Sequence, residues 1–144
     1  MTSSAVDTTA NARTVETFLY GLQDEDFDAA DATLADNILY QNVGYTTMRG
    51  RQRIIKLFRM GQGRYRFEVK FHRVAVDGNA VLTERTDAII IGPFRLQFWV
   101  CGVFEVHGGK ITLWRDYFDA FDIFVKAPLR GLAGIFVPSM RPKM

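Results

Sequence analysis

From Tyr65 to Phe118 the sequence alternates with a period of two in four stretches, about 65–76, 80–91, 94–107 and 110–118. Only Asp77-Gly78-Asn79, Gly92-Pro93 and Gly108-Gly109 separate them. Branched and aromatic residues alternating between such turn residues predict β-strands. Connections this short leave consecutive strands no room to run parallel, so they predict an antiparallel sheet.

The first third of the chain is helical in pattern. Val15, Phe18, Leu19 and Leu22 recur at i, i+3, i+4 and i+7, one apolar stripe. A second helix is expected through DEDFDAADATLA, ending near Asp36-Asn37, with acids in its first turn and Phe27, Ala30 and Leu34 facing inward. ILYQNV, residues 38–43, reads as a short strand. After Gly50 a third helix places Ile54, Leu57 and Phe58 on one face and Gln52, Lys56 and Arg59 on the other, and Gly61-Gln62-Gly63 ends it. A short helical segment is expected near 119–126. APLRGLAGIFVP, interrupted by Pro128, Gly131 and Gly134, then reads as a cover over the open end of the sheet or a dimer contact. The expected architecture is α+β: helices on one face of a strongly curved sheet, a cone with a pocket inside. Residues 1–8 read as a flexible leader and 9–144 as one domain.

Composition narrows the function. The single cysteine, Cys101, excludes an intramolecular disulfide, and two distant histidines give no metal-ligand spacing. No apolar run reaches the roughly 18 residues of a membrane span, and the N-terminus lacks the apolar core of a signal peptide, so a cytoplasmic protein is expected. Nine of the eighteen basic residues fall between Arg49 and Arg73. A solvated helix face followed by a polar strand face accounts for them better than a nucleic-acid surface.

The chemistry is suggested by charges placed where burial is expected. In VLTERTDAII, residues 81–90, Val81, Thr83, Arg85, Asp87 and Ile89 share a face, so the more apolar side of this strand carries an Arg and an Asp. An exposed ion pair is the plain alternative. Asp116 weakens it, since it shares a face with Trp114 and Phe118, although the opposite face is also apolar and periodicity alone leaves the choice open. Tyr40 and Asn42 are again i and i+2. Two acids, one guanidinium and two neutral hydrogen-bonding groups can be buried together if the acids share one proton, making one an acid and the other a base. Opening an epoxide with water needs that division, because the ring oxygen must gain a proton while the water loses one.

The motifs Y-x-N at Tyr40 to Asn42, E-R-x-D at Glu84 to Asp87 and L-W-R-D-Y-F-D at Leu113 to Asp119 stand in the order and spacing of a known family. The chain resembles limonene-1,2-epoxide hydrolases, the mycobacterial members in particular. The resemblance implies a curved six-stranded mixed sheet of NTF2-like or SnoaL-like form, helices in its concave face, a homodimer and a deep apolar pocket; no cofactor or metal is expected. It implies further that Asp116 takes a proton from a water held by Tyr40 and Asn42, that Asp87 protonates the epoxide oxygen, and that Arg85 bridges the two acids without a covalent intermediate. Ile89, Trp114 and Phe118 are the expected pocket walls. The expected substrate is a lipophilic epoxide, such as a sterol or fatty-acid oxide. An isomerase of the same cone-shaped superfamily and a non-catalytic pocket for a hydrophobic ligand are the alternatives.

Overall fold

The computed structural model describes residues 4–144. Among the described residues there are four α-helices, α1 (Ser4–Gln23), α2 (Phe27–Ala32), α3 (Arg51–Gly61) and α4 (Ala127–Phe136). Six strands form one sheet: β1 (Leu34–Asn42), β2 (Thr47–Arg49), β3 (Arg66–Asp77), β4 (Ala80–Ile91), β5 (Phe94–His107) and β6 (Lys110–Tyr117). Strand order is β2-β1-β6-β5-β4-β3, with every neighbour antiparallel except β1 and β6, which run parallel. The sheet is therefore mixed. Register shifts in the β1–β6, β3–β4 and β5–β6 pairings add local twist and bend the strands around the helices.

The helices fill the concave side. Val15, Phe18, Leu19 and Leu22 of α1 are buried with Val81 of β4, Phe104 and Val106 of β5, and Ile111 and Trp114 of β6. Removing these surfaces from water is the main term holding the layers together. No described helix is long and apolar enough to cross a membrane.

The structure revises several sequence expectations. α1 begins at Ser4, inside the expected leader, of which residues 1–3 lie outside the described residues. The second helix is only six residues long, capped where the Asp26 carboxylate accepts from Ala29 N at 3.2 Å. Its expected last turn is instead the start of β1, where Leu34 pairs with Ile111 and is buried as a strand residue. On α3 the inward stripe is Ile54, Ile55 and Gly61 with Phe58 partly buried, while Leu57 is 45% exposed. β2 supplies the sixth strand that the resemblance implied and that the local pattern did not locate.

The C-terminal stretch is a helix. A π-helical turn, Asp122–Lys126, runs directly into α4, and Pro128 falls at its first positions, where a missing N–H costs nothing. Gly131 is the reason α4 can lie against β5: a Cβ there would stand 2.7 Å from both Arg95 O and the Phe94 ring. Arg130 fastens the same contact, donating to Gln97 O at 2.8 Å and pairing with Asp122 at 2.9 Å.

Candidate active site

Burial and hydrogen bonding decide the question left by the alternating strand. Arg85 has no exposure at all and is the largest wholly buried side chain among the described residues; Asp87 and Asp116 are 4% and 5% exposed. Uncompensated, such charges would cost several kcal/mol each. Here they compensate one another. Arg85 grips Asp87 with two bonds, Nε to Oδ1 at 2.9 Å and Nη2 to Oδ2 at 3.1 Å, the planar fork that guanidinium and carboxylate share. Nη2 also lies 2.9 Å from Asp116 Oδ1, and Nη1 donates to Thr83 Oγ1 at 3.0 Å.

The two acids are held differently. Asp116 Oδ1 is within ion-pair distance of Arg85 yet has no aligned hydrogen-bond donor among the described residues, so attraction of charge rather than a fork fixes it. The buried indole N–H of Trp114 is also without a hydrogen-bond partner among the described residues.

β1 supplies the neutral groups. Its parallel register sets Asn42 opposite Asp116 and Tyr40 opposite Trp114. The Tyr40 ring stacks on Trp114 with centroids 3.8 Å apart, which fixes where its hydroxyl points. That hydroxyl donates to Asn42 Oδ1 at 3.4 Å, and Asn42 Nδ2 donates to Thr46 Oγ1 at 3.0 Å.

Protonation follows the same geometry. Burial pushes the Asp87 carboxyl up to about 6, against the pull of Arg85 and with help from the negative charge of Asp116. Tyr40 is raised above its ordinary value, chiefly by burial and then by Asp116, so it remains a neutral donor. Arg85 is raised despite its burial, because two carboxylates face it; it stays a cation. One proton shared between the two acids, beside the Arg85 cation, brings the cluster to zero charge, the state a buried cluster favours.

Tyr40, Asn42, Asp87 and Asp116 all face a cavity of about 420 Å³, whose walls include the expected Ile89, Trp114 and Phe118. Arg85 does not line it and stands behind the acids. Leu96, Phe98 and Val100 add an apolar wall from β5, readable in hindsight from that strand's alternation. Tyr45, stacked on Phe118 at 5.1 Å, and Phe124, 63% exposed, stand at the solvent side. A more open groove of about 610 Å³, lined by Thr86, Trp99, Cys101 and Tyr117, contains neither acid. His72, bonded to Thr86 at 2.7 Å and stacked on Trp99, has no contact with the acids, and His107 lies at the β5–β6 hairpin beside Glu105. The sequence reading put Thr83 on the Arg85 face without a role and passed over Gly102, for which a glycine inside a strand was the available signal.

Residues 9–130 match the limonene-1,2-epoxide hydrolase catalytic domain. The chain belongs to that family. This epoxide hydrolase is 61% identical over 127 residues to epoxide hydrolase EphG of Mycobacterium tuberculosis, covering 88% of its own length and 85% of the relative. Its fold superposes on the structure of an M. tuberculosis LEH-like epoxide hydrolase with a TM-score of 0.93 at 59% identity, over 96% and 98% of the two chains. A ketosteroid isomerase-like structure from Kribbella flavida gives 0.65 at 16% identity, over 78% and 80%, a likeness of fold alone. The fold of the epoxide hydrolase is thus NTF2-like, as the resemblance implied, and the α+β arrangement of helices on a curved sheet is the one that the sequence pattern implied.

Proposed function

We propose that this epoxide hydrolase converts a lipophilic epoxide to a vicinal diol in one step, with water as the nucleophile. A water bound among Tyr40, Asn42 and Asp116 gives its proton to the Asp116 carboxylate as its oxygen bonds to an epoxide carbon. The C–O bond of the ring breaks, and the leaving oxygen takes the proton of Asp87. Arg85 keeps the pair near neutrality throughout, since one carboxyl gains the charge that the other loses. Return of a proton from Asp116 to Asp87 completes the cycle. The observation that carries this reading is the buried Arg85 guanidinium, forked onto Asp87 and 2.9 Å from Asp116, while burial pushes the Asp87 carboxyl up to about 6. The cavity's aromatic lining supports a lipophilic substrate.

A single turnover with enzyme in excess, in ¹⁸O-labelled water, tests the mechanism. Label is expected in the diol. Unlabelled diol would mean that a protein carboxylate attacked first, which overturns one-step hydrolysis. Absence of diol across a broad panel of epoxides would favour an isomerase or a ligand-binding pocket.

We also propose a cytoplasmic homodimer joined through α4. Leu129, Leu132 and Phe136 form an exposed stripe, 63%, 50% and 77% accessible, of the kind usually covered by a partner. Sedimentation velocity is expected to give twice the chain mass, and the Leu132→Glu variant to sediment as monomer. A monomeric native protein at tens of micromolar would refute the dimer, and recovery of the native protein outside the cytoplasmic fraction would refute the location.

A further inference from the structure

The proposed reaction depends on Arg85 reaching two acids on different strands, and the path it takes is unusual. Asp87 is on the same strand, two residues on, but Asp116 is on β6, with all of β5 in between. Neighbouring strands lie about 4.8 Å apart, so the guanidinium must pass over a strand to span roughly twice that distance. Register shows where it passes. Thr83, Gly102 and Asp116 form one straight row across β4, β5 and β6.

Gly102 leaves that row open. A Cβ at this position would stand 2.3 Å from Arg85 Nη1, 2.8 Å from Asp116 Oδ1 and 3.0 Å from Thr83 Oγ1. The backbone gives no other reason for glycine, since Gly102 is absent from the residues with positive φ. Glycine weakens a strand interior, so what the site uses is the missing side chain.

Thr83 closes the other end of the row. Its hydroxyl has one proton, which points to Gly102 O at 3.3 Å, leaving its lone pairs to accept from Arg85 Nη1 at 3.0 Å. A β-branched side chain has few rotamers, so this acceptor is stiff. Phe104 supports the guanidinium from 5.8 Å.

We propose that Thr83 and Gly102 are positioning residues for this reaction: Gly102 keeps open a corridor across β5, and Thr83 anchors the guanidinium that passes through it to Asp116. The role rests on the acid/base reading above. Neither residue touches substrate; both act through Arg85.

The Thr83→Val variant keeps shape and removes the acceptor. Its kcat is expected to fall about tenfold or more, with KM changed less, because misplacement of a group near the chemistry costs rate rather than affinity. The pH profile separates positioning from packing. In the native enzyme kcat/KM should fall as pH rises through about 6, since the acid must carry its proton. Three groups face Asp87: Arg85 of its own strand, Asp116 of β6 and Tyr40 of β1. Loosening Arg85 removes the influence that holds Asp87 down, so the falling limb should move to higher pH. Thr83→Ser should restore both rate and limb. Gly102→Ala should lower kcat about a hundredfold; should it fail to fold, the threonine variants still decide. Native rate and limb in Thr83→Val, with Asp87→Asn and Asp116→Asn inactive, would overturn this role and leave the acid/base reading standing. Full turnover in either aspartate variant would overturn both.

Discussion

The Asp116→Asn protein is expected to fold normally and to hydrolyse epoxide at least about 10³-fold more slowly than the native enzyme. Asparagine keeps the size of the side chain but cannot take a proton from water, so the base is lost. A second loss accompanies it. Asp87 is held protonated partly by the negative charge of Asp116, and without that charge Arg85 draws it toward the ionised form. The substitution therefore removes acid and base together, which is why the expected effect exceeds that of deleting one proton-transfer group. Steady-state rates together with circular-dichroism melting check both halves of the expectation. A fully active preparation, shown by mass spectrometry to be free of deamidated protein, would end the role given to Asp116.

The Arg85→Met variant should show the largest change in stability. It leaves two carboxyls in the interior with no cation, a change worth about 3–5 kcal/mol of destabilisation, or roughly 10 °C in melting temperature for a chain of this size. The deficit should depend on pH in a particular sense. Without Arg85, the burial that raises the Asp87 carboxyl in the folded state is no longer opposed by a cation. The folded protein then binds more protons than the unfolded one, so stability is lost as pH rises through the raised Asp87 value and is recovered on acidification. Relative to native protein, the variant should melt closer to normal at pH 5 than at pH 7. A melting temperature unchanged from native at pH 7 would show that the bridge does not compensate the acids.

Much of this was legible before the structure because the strand borders are written in turn chemistry. β4 and β5 begin and end where the turns after Asp77 and Ile91 and before Lys110 place them. What resisted reading were places where tertiary pairing overrode local pattern. Leu34 satisfies a helical stripe and a strand equally well, and it is the pairing with Ile111 of β6 that makes it β1. α4 was hidden by Pro128, Gly131 and Gly134, yet the proline sits where a helix tolerates it and Gly131 lets the helix approach the sheet. The same divide runs through the site. Arg85 and Asp87 could be paired from their spacing alone, and Tyr40 with Asn42 likewise. Thr83 shares that spacing with Arg85, but its row with Gly102 and Asp116 crosses three strands, and a row exists only once the register does.

The parallel pairing of β1 with β6 has a consequence for how the enzyme becomes active. Arg115 and Gln41, bonded across that pairing at 2.8 Å, are 74 residues apart in sequence, whereas β3 to β6 are joined by tight turns. Closing so long a loop is entropically more demanding than zipping adjacent strands, and contacts of this separation slow folding. The four-stranded meander can bring Arg85, Asp87 and Asp116 together by local pairing alone, but Tyr40 and Asn42 arrive only with β1. A chain arrested between those two events has its acid and base and nothing to hold the water, so turnover reports on chains whose two ends have already met.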